Sequence, residues 1–238
     1  MSMKQTLLIT SLVISCCFYG QNSHAIRYFN RGVKNDGSKN YKRAIDDYSK
    51  AIKVDPKFVY AFYARGLAKY NLKDYQGAMA DYSKTIELNP KFENAYYGRG
   101  LAKYELKDYQ GAIADYSKTI ELNPKFAKAY NNRGYLKNYL KDYRGAIEDY
   151  TKALKNDPKF DYAYNNRGQA KYNLKDYKGA LADYTKAIGI NPTNADTFYN
   201  RGNMKRELKD KKGACKDWKK ALELGNKDAE ENLNKYCK

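Results

Sequence analysis

Between residues 59 and 92 the apolar and small side chains fall at helical spacing in two successive sets. Phe62, Gly66, Ala68 and Leu72 mark one helix face, and Tyr75, Ala78, Met79, Tyr82 and Ile86 mark another, the recurrence expected of amphipathic helices. The polar Lys73-Asp74 between the sets reads as a short turn, so the segment predicts a helical hairpin. Pro90 closes it, because proline has no amide to donate and restricts the residue before it. The pattern then recurs. The chain's five prolines stand at 56, 90, 124, 158 and 192, each 34 residues from the next, and a strict period of that length marks a helical repeat array. Counting back from each proline gives six repeats in register: 25–58, 59–92, 93–126, 127–160, 161–194 and 195–228. A single hairpin cannot bury its apolar faces, so stability has to come from stacking on neighbours.

Within the third repeat the pattern aromatic-x-x-x-Gly, then Tyr, Ala, Tyr and a closing Pro is carried by Tyr96, Gly100, Tyr109, Ala112, Tyr116 and Pro124. This resembles the tetratricopeptide repeat (TPR), and the strings AYNNRG (129–134 and 163–168) and DYSKTI resemble its bacterial subtype. The resemblance implies an all-α fold, a right-handed superhelical solenoid of six TPR helical hairpins. In such a solenoid the first helix of each pair lines a concave groove.

Small residues recur with the period. Gly32, Gly66, Gly100, Gly134, Gly168 and Gly202 sit mid-helix, where glycine costs about 1 kcal/mol relative to alanine. Six such costs point to a close helix crossing, with Ala44, Ala78, Ala112, Ala146, Ala180 and Ala214 on the partner helix. Tyr28, Phe62, Tyr96, Tyr130, Tyr164 and Phe198 fill the space around them. One feature departs from the family's usual apolar residue. Each glycine is preceded by arginine (Arg31, Arg65, Arg99, Arg133, Arg167, Arg201), and sixteen residues later stands an aspartate (Asp47, Asp81, Asp115, Asp149, Asp183, Asp217). Matched numbers in fixed register suggest an internal ladder of ion pairs. The alternative is a row of arginines gripping an anionic ligand.

The ends differ from the middle. Lys34-Asn35-Asp36-Gly37-Ser38 replaces the apolar and small residues of the other repeats, so the first helix is expected to fray early. The last repeat carries Lys211 and Trp218 in place of tyrosines and Gly225 in place of a proline. Residues 226–238 read as one more amphipathic helix, with 229–238 as a C-terminal capping helix over the last apolar face. Cys215 and Cys237 are equidistant from Asn226 at the connecting turn. On antiparallel helices they would lie at one height, either as a disulfide stapling the cap or as two separate thiols.

Ahead of the array, Lys4 is followed by the apolar run Leu7–Ser15, and no acid appears before Asp36. A charged start and about a dozen apolar residues read as a secretory signal peptide over 1–24, too short to span a bilayer. Cleavage near residues 20–25 is one reading. Another is a lipoprotein signal ending before Cys16, since Val13-Ile14-Ser15-Cys16 resembles a bacterial lipobox. Either way the protein is expected to be exported, to the periplasm or cell envelope or beyond it, with membrane association only through a lipid anchor.

Catalytic chemistry is sparse. The only histidine is His24, the glycines are spaced by the repeat rather than clustered into a phosphate loop, and the acids follow the register. No enzyme and no cofactor or metal is expected. Binding remains. The family resemblance places Tyr60, Tyr63, Tyr70, Tyr97, Tyr104, Asn131, Asn132, Tyr135, Tyr139, Tyr162, Asn165, Asn166, Tyr172, Tyr199, Asn200 and Asn203 on the groove wall. Tyrosine gives rigid contact area and asparagine bonds a peptide backbone. The competing reading is that some of these tyrosines pack between repeats. The Lys and Asn set with which chaperone-binding relatives hold a C-terminal carboxylate is not matched, as Tyr63 with Leu67 and Tyr97 with Leu101 show. The net charge of +18 is largely periodic, as in the turn lysines Lys39 to Lys209. It serves as a solvated face or attracts acidic partners, anionic lipid or envelope polymers. Nucleic acid fits poorly with export and with a neutral groove. The expected function is a protein-interaction scaffold of the bacterial envelope that binds a protein or peptide, acidic partners included. The alternative is a basic binder of anionic lipid or polysaccharide.

Overall fold

The computed structural model describes residues 23–238, and the chain divides into two compact units at Leu122/Asn123. The first unit holds three helical hairpins: α1 (Ser23–Gly37) with α2 (Tyr41–Val54), α3 (Val59–Asn71) with α4 (Tyr75–Leu88), and α5 (Glu93–Glu105) with α6 (Tyr109–Leu122). The second holds α7 (Ala127–Tyr139) with α8 (Tyr143–Asn156), α9 (Asp161–Asn173) with α10 (Tyr177–Ile190), and α11 (Ala195–Glu207) with α12 (Lys211–Glu223). A nine-residue final helix, α13 (Asp228–Tyr236), packs on α12. Cys16 and nearly all of the expected signal segment lie outside the described residues; Ser23 and His24 open α1.

Local chemistry sets the hairpin ends. After each first helix the chain passes through a lysine with positive φ, as at Lys73 (64°) and Lys141 (67°). The following residue, Asn40 in the first hairpin and an aspartate in the others, caps the second helix: the Asp74 carboxylate accepts from the Gly77 amide at 2.9 Å, satisfying a donor that the helix start leaves orphaned. Hairpins are joined by an Asx-Pro turn. Asn89 is extended ahead of Pro90, its side chain accepts from Lys91 N at 3.1 Å, and its carbonyl accepts from Phe92 N at 3.1 Å.

The core of each hairpin is a tyrosine laid on a glycine. Tyr82 is 1% exposed, and a Cβ on Gly66 would come within 2.8 Å of its ring. Tyr48, Tyr116, Tyr150 and Tyr184 repeat the contact on Gly32, Gly100, Gly134 and Gly168, and Trp218 replaces the ring over Gly202. In the first unit Tyr82 is enclosed from the other side by Gly98 of the next hairpin, at 2.8 Å from a built Cβ.

Beside each ring runs the ion-pair ladder. The Arg99 Nε and Nη2 donate to the two Asp115 oxygens at 2.9 and 2.7 Å, and Lys103 Nζ stands 2.8 Å from Oδ2. The same three-residue clamp forms at Asp81 with Arg65 and Lys69, Asp149 with Arg133 and Lys137, Asp183 with Arg167 and Lys171, and Asp217 with Arg201 and Lys205. Each aspartate is buried, so the pairs are structural supports and not a row of arginines open to a ligand. Bonding to Asp115 and Asp149 holds Arg99 and Arg133 above the ordinary guanidinium range. Each guanidinium also lies over the aromatic ring three residues earlier, Arg65 on Phe62 at 5.6 Å for instance. Arg65 and Arg99 reach back to Ser49 and Ser83 of the preceding hairpin, at 3.0 and 3.2 Å, which ties neighbours together.

The expectation that the first helix frays is corrected. α1 runs to Gly37, the register position at which α3 ends with Asn71 and α5 with Glu105. Asn35 stands where other hairpins have the second lysine, and its Nδ2 donates to Asp47 Oδ2 at 2.8 Å. Ser38 bonds the Lys34 carbonyl through both its amide and its hydroxyl, and Asn40 N bonds the Asn35 carbonyl at 2.9 Å. Residues that favour a turn in isolation here satisfy the helix end and complete the clamp. At the other terminus Cys215 and Cys237 form a disulfide with a Cα–Cα separation of 5.7 Å, and Trp218 meets Tyr236 at 5.8 Å between ring centres.

Asp115→Asn keeps the shape but strands Arg99 and Lys103 beside a neutral amide. It is expected to cost about 3 kcal/mol in urea unfolding, while Lys118→Ala, an exposed partner of Glu121, changes stability by about 0.5 kcal/mol or less. The first hairpin has its own pH response. Burial raises the Asp36 carboxyl to about 6. Burial also pushes Asp47 upward, but bonding to Arg31 and Asn35 overcomes it, and the carboxyl is lowered. Asp36 therefore destabilises above pH 6 and ceases to do so as pH falls through 6 towards the unfolded value, whereas Asp47 loses its support only below the ordinary carboxylate range. Stability should rise by about 1 kcal/mol between pH 7 and 5. Asp36→Asn should remove that rise in chemical denaturation run at both pH values.

Candidate functional site

In the first unit the tyrosines of the first helices are largely taken up by packing. Tyr60 and Tyr63 of α3 meet Phe92 at 5.7 and 4.9 Å, and Tyr63 also meets Tyr82 at 5.9 Å. Burial pushes the Tyr63 hydroxyl above its ordinary range. Tyr97 of α5 packs on Tyr116 at 5.8 Å. Tyr70 and Tyr104, at the ends of their helices, meet Tyr75 edge-on and Tyr109 at a tilt, at 5.3 and 5.9 Å, and the Tyr70 hydroxyl donates to Glu105 Oε1 at 3.4 Å. All five are half-buried.

The second unit presents a different surface. Tyr139 and Tyr162 are each 59% exposed, Tyr135 is 43% and Tyr172 is 37% exposed. Their exposed area on two neighbouring helices is available for another surface to cover. Beneath them lies an asparagine chain. Asn166 Nδ2 on α9 donates to Asn131 Oδ1 on α7 at 3.1 Å, and Asn131 donates to Asn132 at 3.2 Å. The side chain of Asn131 is buried, so its role is to join the two helices, whereas Asn132 and Asn166 are half-buried and reach the surface. Asn165 accepts from the Thr197 hydroxyl at 3.3 Å, and Tyr199 packs against the cluster around Trp218. Asn203 accepts from Trp218 Nε1 at 3.1 Å and Asn232 Nδ2 at 3.2 Å, which commits it to holding the cap. Asn200 is half-buried on α11.

The sequence reading thus brought together two kinds of residue. Tyr60, Tyr63, Tyr97, Asn131 and Asn203 stabilise the array, and Tyr135, Tyr139 and Tyr162 with Asn132 and Asn166 place exposed aromatic and half-buried amide groups on α7 and α9 of the second unit; Tyr172 is partly exposed and meets Tyr177 at 5.9 Å between ring centres. It passed over the second cation of every clamp, although lysine four residues after each arginine from Arg65 onward was a visible signal. It also passed over a cavity beside the cap. No group of three metal-ligating side chains is found among the described residues, and no described helix is long and apolar enough to cross a membrane.

The tetratricopeptide-repeat family model matches residues 59–92, 93–126, 127–160 and 162–194, and a second TPR-repeat model matches 38–73. This chain belongs to the tetratricopeptide-repeat family. Comparison with curated proteins by sequence gives no match. Among solved structures, MamA is 27% identical with a TM-score of 0.65, covering 69% of this chain and 96% of that one. PilF of Pseudomonas aeruginosa is 18% identical with a TM-score of 0.78, covering 91% of this chain and all of its own. YrrB, described as a TPR protein with an unusual peptide-binding site, is 20% identical with a TM-score of 0.67, over 79% of this chain and 97% of its own. The last two likenesses concern the fold.

The split between packed and open tyrosines is measurable. Tyr63→Ala is expected to lose about 2–3 kcal/mol of unfolding free energy, as a truncated core ring does. Tyr139→Ala should stay within about 0.5 kcal/mol of the parent in the same urea titration.

Proposed function

We propose that this protein is a non-catalytic interaction scaffold that docks a peptide segment or partner protein on the tyrosine and asparagine surface of α7 and α9. The observation that carries this reading is the exposure of Tyr135, Tyr139, Tyr162 and Tyr172 above the Asn131–Asn166 link. Tyrosine is enriched where an apolar body is covered and the hydroxyl keeps a polar partner. Half-buried amides beside the rings suit the backbone of an extended chain, which offers alternating donors and acceptors. A TPR protein of the same fold, YrrB, has a peptide-binding site, so the architecture is compatible with that use.

The reading includes export to the bacterial envelope, supported by the charged start and apolar run before residue 16. The mass of the mature N-terminus tests it: cleavage near residues 20–25 or a lipid on Cys16 supports export, and an intact Met1 in mature protein refutes it.

A second reading, a basic binder of anionic lipid or polysaccharide, draws on the net charge of +18. Salt separates the two. Capture from an extended-peptide library, followed by affinity measurement, should give ligands whose binding falls less than about tenfold between 0.1 and 0.5 M salt and is lost in a Tyr139→Ala/Tyr162→Ala variant that folds normally. Binding confined to anionic vesicles or polymers, collapsing with salt and indifferent to the variant, would replace the first reading with the second.

A further inference from the structure

In three hairpins the end of the first helix and the start of the second carry a tyrosine pair in edge-on or tilted contact: Tyr70 with Tyr75, Tyr104 with Tyr109 and Tyr172 with Tyr177. In the last hairpin the same two register positions are Arg206 and Lys211. Two rings have been exchanged for two cations. The space beside them is a cavity of about 250 Å³, lined by Arg206, Lys209, Lys211, Lys235, Trp218 and Tyr236, with Ala214 at its base.

The cations come from three separate places in the chain. Arg206 lies in the last turn of α11, Lys209 and Lys211 stand on either side of Asp210, the N-cap of α12, and Lys235 arrives on α13, which the Cys215–Cys237 disulfide holds to α12. Arg206 and Lys235 both stand 5.2 Å from the centre of the Tyr236 ring. Trp218 is fully buried and meets Tyr236 at a tilt, 5.8 Å between ring centres. No acid lines the cavity; Arg206 is bonded to its neighbour Glu207, which offsets part of the positive charge. A solvated lysine face spreads its charges over a convex surface. Here they converge on a concavity with aromatic walls, where low-dielectric surroundings focus the field and like charges raise one another's energy.

We propose that this cavity binds a compact oxyanion, a phosphate or carboxylate group, carried by a small organic phosphate or by an acidic peptide side chain. The volume admits such a group together with part of the molecule that carries it, and the arginine can offer paired N–H donors to it while the lysines act as point charges. The inference is independent of the tyrosine surface on α7 and α9, whose residues do not line the cavity.

Trp218 is the only tryptophan in the chain, so its fluorescence reports this site alone. The full-length oxidised protein would be titrated with inorganic phosphate, phenyl phosphate and acetyl-Glu-Glu-Glu at low salt. A saturable change in Trp218 emission is expected with at least one probe, weakened at least tenfold by Arg206→Tyr/Lys211→Tyr. That variant restores the tyrosine pair that three other hairpins carry, and its circular dichroism and melting curve establish that it folds. A response to the phosphates alone assigns a phosphate ester, and a response to the peptide alone assigns an acidic segment. No saturable response to any probe, or one unchanged in the folded variant, would overturn the proposal.

Discussion

A buried aspartate held by an arginine and a lysine is the interaction on which the hairpins depend. In five of the six hairpins a carboxylate on the second helix meets Nε and Nη2 of an arginine and Nζ of a lysine on the first. Taking these charges out of water is costly, and well-packed apolar residues could match their stability. What the clamp contributes is register. The arginine and lysine are four residues apart on one helix, so both reach the carboxylate at a single alignment. A slip would bury an unpaired charge. The glycine next to each arginine sets the same alignment sterically, because the tyrosine ring beside the aspartate fits only where no side chain projects.

The clamp also organises the surroundings. Its guanidinium covers the aromatic ring one turn earlier and, in the first unit, bonds a serine of the preceding hairpin. One arginine therefore connects two helices of its own hairpin, an aromatic plate and a neighbour. In the first hairpin an asparagine takes the place of the lysine, which lets a polar segment end α1 at the usual position. Since the aspartates and their partners are absorbed inside, the excess positive charge of the protein lies on the remaining lysines. Some of these are paired along their own helix, as Lys84 with Glu87 and Lys220 with Glu223.

Repetition makes the exceptions informative. In three hairpins a tyrosine pair in edge-on or tilted contact joins the end of the first helix to the start of the second. Its exchange for Arg206 and Lys211 coincides with the arrival of α13, which supplies new aromatic cover from Tyr236. The two units differ in the same manner. Phe92 covers Tyr60 and Tyr63 in the first, and the corresponding face of the second displays tyrosines above an asparagine link.

The amino-acid sequence by itself determined the helical hairpins, their period, the glycine crossings and the Arg–Asp pairing, because each rests on a short-range rule repeated six times. It also brought Cys215 and Cys237 to one level by counting from a turn. Only the tertiary structure decided which tyrosines are covered and which stand open, and that α1 is complete. Both turn on contacts with residues from a neighbouring helix or hairpin: Phe92 over Tyr63, Asp47 beneath Asn35. The cavity at the cap belongs to the same class. Its cations are spread from 206 to 235, and only the docking of α13 on α12 turns separate charges into one concave field.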